Sequence, residues 1–218
     1  MIYRDRSDAG RRLAASLAHH AGDPSLLVLG LPRGGVPVAA EVADALGAPL
    51  DVYVVRKLGV PGQRELAMGA IGSGGVRVMN ERVLRAAGVP AEAIEEVIGE
   101  EERELERRER SLRGERPPPE VEGRTIVLVD DGIATGSTMR AAIAALQARG
   151  AGKVVVAVPV AASETCAELA EDVDEVVCAA TPDPVRAISI WYEDFEQTSD
   201  AEVRELVERA ARRDPERS

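Results

Sequence analysis

Short, continuous apolar runs alternate along this chain with segments whose apolar residues recur every three or four positions. The runs at 26–29, 52–55, 68–71, 126–129, 154–158 and 176–178 read as buried strands, because a strand covered on both faces needs no polar alternation. Helical spacing joins Arg11, Leu13, Ala14, Leu17 and Ala18, with Ser7 as the expected N-cap, and recurs at Ala39, Val42, Ala43 and Leu46, where Gly47 ends the helix. It returns at Ala142, Ile143 and Leu146, and again over 164–170. Strand and helix in alternation predict an α/β fold, a parallel sheet covered by helices on both faces with right-handed crossovers. Residues 56–66 read as a polar loop around Gly59, Pro61 and Gly62, and 114–123, with three consecutive prolines, as a linker.

The segment 91–113 differs in kind. It is dense in Glu and Arg, with opposite charges four apart, as in Glu104 with Arg108 and Glu106 with Arg110. Ile94, Val97, Ile98, Leu105 and Leu112 leave only a thin apolar stripe, so a long, largely solvated helix is expected. Such a helix could lie on the domain surface, form a dimer contact or cover a site.

Composition narrows the classes. Aromatic residues are 2% of the 218, so the core has to be built from Ala, Val, Leu and Ile, as suits a sheet under Ala-rich helices. The formal net charge of −11 repels a nucleic-acid backbone, and no nucleic-acid partner is expected. No apolar run approaches the ~20 residues of a membrane span, and Arg4, Asp5 and Arg6 precede no apolar leader, so a cytoplasmic, membrane-free protein is expected. Cys166 and Cys178 fit no zinc spacing and read as two buried thiols. His19 and His20, on the first helix, read as solvated or packing residues. Only Lys57 and Lys153 are lysines among 27 basic residues, which draws attention to Lys57.

The chemistry concentrates after the strand at 126–129. Asp130 and Asp131 leave its carboxyl end, where ligands of open α/β sheets sit. Gly132-Ile133-Ala134-Thr135-Gly136-Ser137-Thr138 follows, opening a helix. Glycines allow positive φ and close backbone approach, successive amides form an anion-binding concavity, and the helix start favours phosphate. Thr135, Ser137 and Thr138 add hydroxyls, while two carboxylates are acceptors suited to a vicinal diol. The segment therefore describes a pocket for a ribose 5-phosphate. It is no Walker loop, since no Lys precedes the Ser/Thr.

Residues 127–138 resemble the 5-phosphoribosyl-1-diphosphate (PRPP) motif of type I phosphoribosyltransferases. The resemblance gives Asp130 and Asp131 the ribose hydroxyls and assigns the 5-phosphate to Ala134, Thr135, Gly136, Ser137 and Thr138. Gly132-Ile133-Ala134 departs from the bulkier residues and Thr of many members. Leu31-Pro32-Arg33-Gly34-Gly35-Val36 resembles the family's diphosphate loop, where Arg33, Gly34 and Gly35 would turn amides to the ligand and a cis peptide is expected at Pro32–Arg33 or Arg33–Gly34. The stretch 55–62 resembles the adenine branch of the family, with Lys57 and Arg56 as candidates to meet the diphosphate, Gln63, Arg64 and Glu65 on a mobile loop, and Glu65 a candidate for proton transfer.

What the resemblance implies is displacement at C1 of PRPP by a nitrogen nucleophile, a nucleobase in the first instance, with release of pyrophosphate. Mg2+ would be the cofactor, with Asp130 and Asp131 holding it indirectly, through ribose or water; together with Lys57 they are the expected catalytic residues. A PRPP-sensing regulator without catalysis is the alternative. A single domain over 1–218 is expected, its core at about 25–180, a small hood from 1–24 and 181–218, and a helical insertion at 91–114. Trp191, Tyr192 and Phe195 would serve that hood as packing or as a stacking platform for a base. A homodimer through the charged helix or a sheet edge fits the same outline.

Overall fold

The computed structural model describes residues 2–185 and 187–213. Its centre is a five-stranded parallel sheet built from β1 (Leu26–Gly30), β2 (Leu50–Val52), β6 (Thr125–Val129), β7 (Lys153–Val160) and β8 (Glu175–Ala180), in the order β2-β1-β6-β7-β8. All but β2, which is Leu50-Asp51-Val52, rest on an apolar run, and the parallel α/β expectation holds.

Alternation along those strands feeds two cores. Leu27, Leu29, Ile126, Leu128, Val154 and Val156 face α5 (Ser137–Ala148) through Met139, Ala142, Ile143 and Leu146. Leu26, Val28, Val127, Val129, Val155 and Ala157 face α1 (Arg6–Ser16) and α2 (Gly35–Leu46) through Leu13, Leu17, Ala39, Val42 and Leu46. Small Ala and Val side chains on the helices bring backbone close to the sheet, which is how a core nearly without aromatics stays filled. Helix α1 is capped by Asp5, whose Oδ1 accepts from the Asp8 amide at 2.6 Å, rather than by Ser7, which lies one residue inside the helix. His19 and His20 lie beyond α1, in a 3-10 turn over Ala18–His20.

The chain between β2 and β6 departs most from the sequence reading. The expected strand over 52–55 is split between β2 and β3 (Val55–Val60). Residues 56–66 are not a loop. They form most of a hairpin of β3 and β4 (Gln63–Gly72), turning at Pro61 and Gly62, and β5 (Val76–Met79) completes a three-stranded antiparallel sheet. Lys57, Gln63, Arg64 and Glu65, which read as loop, are exposed, while Arg56 turns to Glu101 of the helix that follows and Leu58, Val60, Met68 and Ile71 point into a third core. Helix α3 (Glu81–Ala87), unforeseen in the sequence, follows and is capped by Asn80.

Helix α4 spans Ala91–Arg113, the charged segment expected. Its stripe of Ile98, Leu105 and Leu112 is buried in that third core with Val203 and Val207 of α7 (Asp200–Arg213). Polar contacts fix its course: Arg56 bonds Glu101, Ser111 bonds Asp200, and the buried Arg113 meets Asp51 in a bidentate pair at 2.6 and 2.9 Å. A planar guanidinium fork matched to a carboxylate gives a defined orientation that a lysine would not. Here α4 is a packed element of the fold. No described helix is long and apolar enough to cross a membrane.

Cys166 on α6 (Ser163–Leu169) and Cys178 on β8 are bonded to each other, where the sequence reading expected two free thiols. A helix packed on the following strand brings the two side chains together, which a separation of 12 residues does not reveal.

Candidate functional site

The sheet order reverses direction between β1 and β6: the chain after β1 moves outward to β2, and the chain after β6 moves outward to β7. Beyond the carboxyl ends of this central pair lies the crevice that such sheets use for ligands. Both predicted loops end there, Pro32 to Gly35 after β1 and Asp130 to Thr138 after β6.

The two loops are in contact. A Cβ on Gly34 would lie 2.0 Å from Asp131 Oδ2, and one on Gly35 would lie 2.7 Å from the Val129 carbonyl oxygen and 2.8 Å from Asp130 Cα. Glycine at both positions is therefore a condition of bringing the acidic pair against the first loop. The Pro32–Arg33 peptide is cis, at one of the two bonds expected. Loop residues 132–139 line a cavity of about 170 Å³ with Asp130, and Thr135, Ser137 and Thr138 are exposed at its rim. Gly136, with φ of +72°, is the N-cap of α5, so the helix start points its free amides at this cavity.

The carboxylates differ in their surroundings. Asp130 accepts the Asp131 amide at 2.9 Å and has no ion-pair partner among the described residues. Burial, then the neighbouring Asp131 charge, push its pKa well above the usual carboxylate range. Burial also raises Asp131, with Arg6 opposing it. Arg6 Nε donates to Asp131 Oδ2 at 2.8 Å, its guanidinium lies 4.0 Å from the centre of the Phe195 ring, and a second nitrogen reaches the Glu196 carbonyl at 2.7 Å. The Tyr192 hydroxyl donates to the Asp131 carbonyl at 2.6 Å. A cation and a phenol from the two ends of the chain thus fix the position of Asp131.

That clamp escaped sequence reading. Arg6 and Asp131 are 125 residues apart; a parallel backbone bridge between Tyr3 and Tyr192 and the burial of their rings, 5.5 Å apart, draw the two segments together. The aromatics at 191–195 belong to this packing cluster.

The predicted basic residues are dispersed. Lys57 on β3 lies 3.6 Å from Glu65 and lines, with Ser137 and Arg140, an open cavity of about 750 Å³ beside the loop after β6. Arg56, one residue earlier, points to the other face and is held by Glu101 at 2.6 Å. The Arg33 side chain turns to Asp200 at 3.5 Å and lines a separate cavity with Arg107 and Arg108, leaving its backbone in the first loop. Alternation along a strand makes Arg56 and Lys57 incompatible with one shared target.

Known proteins resemble this chain in sequence and fold. The profile of the phosphoribosyl transferase domain matches residues 2–190. Two Mycobacterium tuberculosis proteins, from strains CDC 1551 and H37Rv, each named "Putative phosphoribosyl transferase", are 52% identical over 211 residues, or 97% of this chain. The match is 47% of their length, so the chain spans about half of the curated relatives it matches. The crystal structure of TT1426 from Thermus thermophilus is 41% identical and superposes with a TM-score of 0.83 over 95% of this chain and 98% of that one. With the profile covering most of its length and the two acidic and glycine-rich loops meeting at the switch point, this chain belongs to the phosphoribosyl transferase domain family.

Proposed function

We propose that this chain transfers the 5-phosphoribosyl group of PRPP to a nitrogen of a small acceptor, a nucleobase in the first instance, releasing pyrophosphate. The observation that carries the reading is the contact of Gly34 and Gly35 with the Asp131 and Asp130 region, which joins a diphosphate loop to a ribose and phosphate loop. The α5 N-terminus and the hydroxyls of Thr135, Ser137 and Thr138 would hold the 5-phosphate, and Asp130 and Asp131 the ribose 2′- and 3′-hydroxyls.

Little covalent work falls to the protein in such a transfer. The bond from C1 to the diphosphate oxygen breaks as the acceptor nitrogen attacks from the opposite face, with oxocarbenium character at C1. Held reactants and fixed donors around the leaving group supply most of the acceleration. The family uses Mg2+ with PRPP. Two half-buried carboxylates with only Arg6 in direct ion pairing form an all-oxygen, charge-rich setting that would hold a hard divalent cation indirectly, through ribose or water. Bound there, the ion would neutralise charge on the diphosphate.

Calorimetric titration of PRPP with Mg2+ present and absent, followed by a panel of bases, tests the proposal. Magnesium-dependent binding with pyrophosphate release on one base supports it and names the acceptor. Tight binding with no turnover for any base would replace the enzyme by a PRPP sensor, and no binding would reject both. Within the same assay, Lys57→Ala is expected to weaken PRPP on the order of 10-fold through loss of one charged contact to the diphosphate, while leaving ribose 5-phosphate affinity unchanged. Equal losses for both ligands would remove Lys57 from the diphosphate site.

A further inference from the structure

At the edge of the sheet opposite the substrate loops, three side chains from distant parts of the chain converge. His19 and His20 come from the 3-10 turn after α1, and Glu175 is the first residue of β8. His19 Nε2 lies 2.9 Å from Glu175 Oε1 and His20 Nε2 lies 3.0 Å from Oε2. Among the described residues this is the one group of three His, Cys, Asp or Glu side chains whose ligand atoms all fall within 4.8 Å of one another. By register Glu175 is level with Val155 of β7 and Val127 of β6, so it stands two strands across and three residues before Asp130, on the order of 14 Å away at about 3.3 Å per residue and 4.8 Å per strand.

We propose that His19, His20 and Glu175 form a divalent transition-metal site of the zinc class, separate from the substrate site. Two imidazoles and a carboxylate are the ligand set of three-residue zinc sites, with water completing the tetrahedron. Imidazole nitrogen also selects against Mg2+, which prefers all-oxygen ligands. With metal–ligand bonds of about 2.1 Å, two ligand atoms in a tetrahedron stand about 3.4 Å apart, so the two His–Glu pairs would open by about 0.4–0.5 Å while any wider pair within the 4.8 Å cluster closes toward the same spacing. The rings already lie side by side, 4.1 Å between centroids, and His20 is buried, which limits the freedom lost on binding. Lys153 Nζ, 3.5 Å from Glu175 Oε2, competes for the carboxylate and sets a ceiling on affinity. The ion would join the turn after α1 to the start of β8, fastening the same helix whose first residue, Arg6, holds Asp131.

The test is calorimetric titration of Zn2+ into the full chain after EDTA treatment, with Mg2+ in excess to mask oxygen-only sites. One equivalent should bind and raise the melting temperature. Affinity should fall about 10-fold or more in His19→Gln, a safe variant because that side chain is exposed, and likewise in Glu175→Gln. Lys153→Gln should tighten binding, an effect no purely structural ion-pair cluster produces. Co2+ in place of Zn2+ should give the visible absorption of tetrahedral coordination. Binding should survive in the Asp130→Asn, Asp131→Asn double variant, which keeps the result independent of the PRPP reading. Absence of saturable binding, or affinity unchanged in both His19→Gln and Glu175→Gln, or lost only in the double Asn variant, overturns the proposal.

Discussion

Replacing Asp130 and Asp131 together by Asn is expected to abolish PRPP binding while leaving a protein at least as heat-resistant as the parent at pH 7. The ligand side follows from charge-assisted hydrogen bonds to the ribose hydroxyls, each worth about 1.5–3 kcal/mol, so two lost contacts weaken binding roughly 10²- to 10⁴-fold. The stability side follows from the pKa shift. Asp130 is raised well above its ordinary value by burial and by the Asp131 charge. An unfolded Asp loses its proton near 3.9, so below that pH folded and unfolded chains are equally protonated and the carboxyl does not oppose folding. As pH rises from there through the folded-state pKa, the unfolded chain binds fewer protons than the folded one, and stability is lost. At pH 7, well above the unfolded-state value, the fold carries this penalty, and a neutral Asn at 130 relieves it. Asn at 131 gives some of this back, since Arg6 loses its partner. Melting curves should therefore place Asp130→Asn above the parent at pH 7, with the gap closing toward pH 4, at about 2–4 °C per kcal/mol for a chain of this size. A folded double variant with unchanged PRPP affinity would reject the site. A lower melting temperature for the single variant at pH 7 would reject the electrostatic account. A group that weakens the empty fold and is kept for a ligand is a functional group rather than a structural one.

Legibility of the chain in its sequence divides along physical lines. Four of the five parallel strands were readable because buried strands leave unbroken apolar runs, as in Ile126 to Val129, while β2, with Asp51 at its centre, was placed two residues late. Helix α4 was readable to its limits because opposite charges four apart recur through it. Of the hairpin of β3 and β4 only Val55 and 68–71 were read as strand, because Arg56, Lys57, Gln63, Arg64 and Glu65 stand on a half-exposed sheet and copy the composition of a loop. The loops 32–35 and 130–138 could be read because glycines, hydroxyls and paired acids carry local chemistry. Arg6 and Tyr192, which position Asp131, could not, because a contact between chain ends leaves no local pattern. For the same reason the sequence placed His19 and His20 among solvated or packing residues, and Glu175 supplied their context only in three dimensions.

Gly35→Ala should be the most damaging single methyl group that can be added to this site. The new Cβ would stand 2.7 Å from the Val129 carbonyl oxygen, 2.8 Å from Asp130 Cα and 3.1 Å from Asp130 Oδ1. The first two neighbours are backbone of the central strand and its exit, so no rotamer change relieves the clash; β6 and α2 must part. Overpacking of this kind costs about 1–3 kcal/mol. The displacement falls on the residue that would hold the ribose, and a shift near 1 Å in a positioned group can cost on the order of 100-fold in turnover. Gly47→Ala is the matched control: it sits at the opposite end of α2 in the left-handed region at φ +64°, with nothing within 4 Å of its Cβ. Its strain should lower stability by about 1 kcal/mol without touching PRPP affinity. Melting temperature and PRPP affinity measured on both variants separate the two effects. Loss of affinity in Gly35→Ala alone ties the close approach of the two loops to ligand binding. Equal affinity in both variants would mean that the approach serves packing only, and would take the diphosphate role away from the loop after β1.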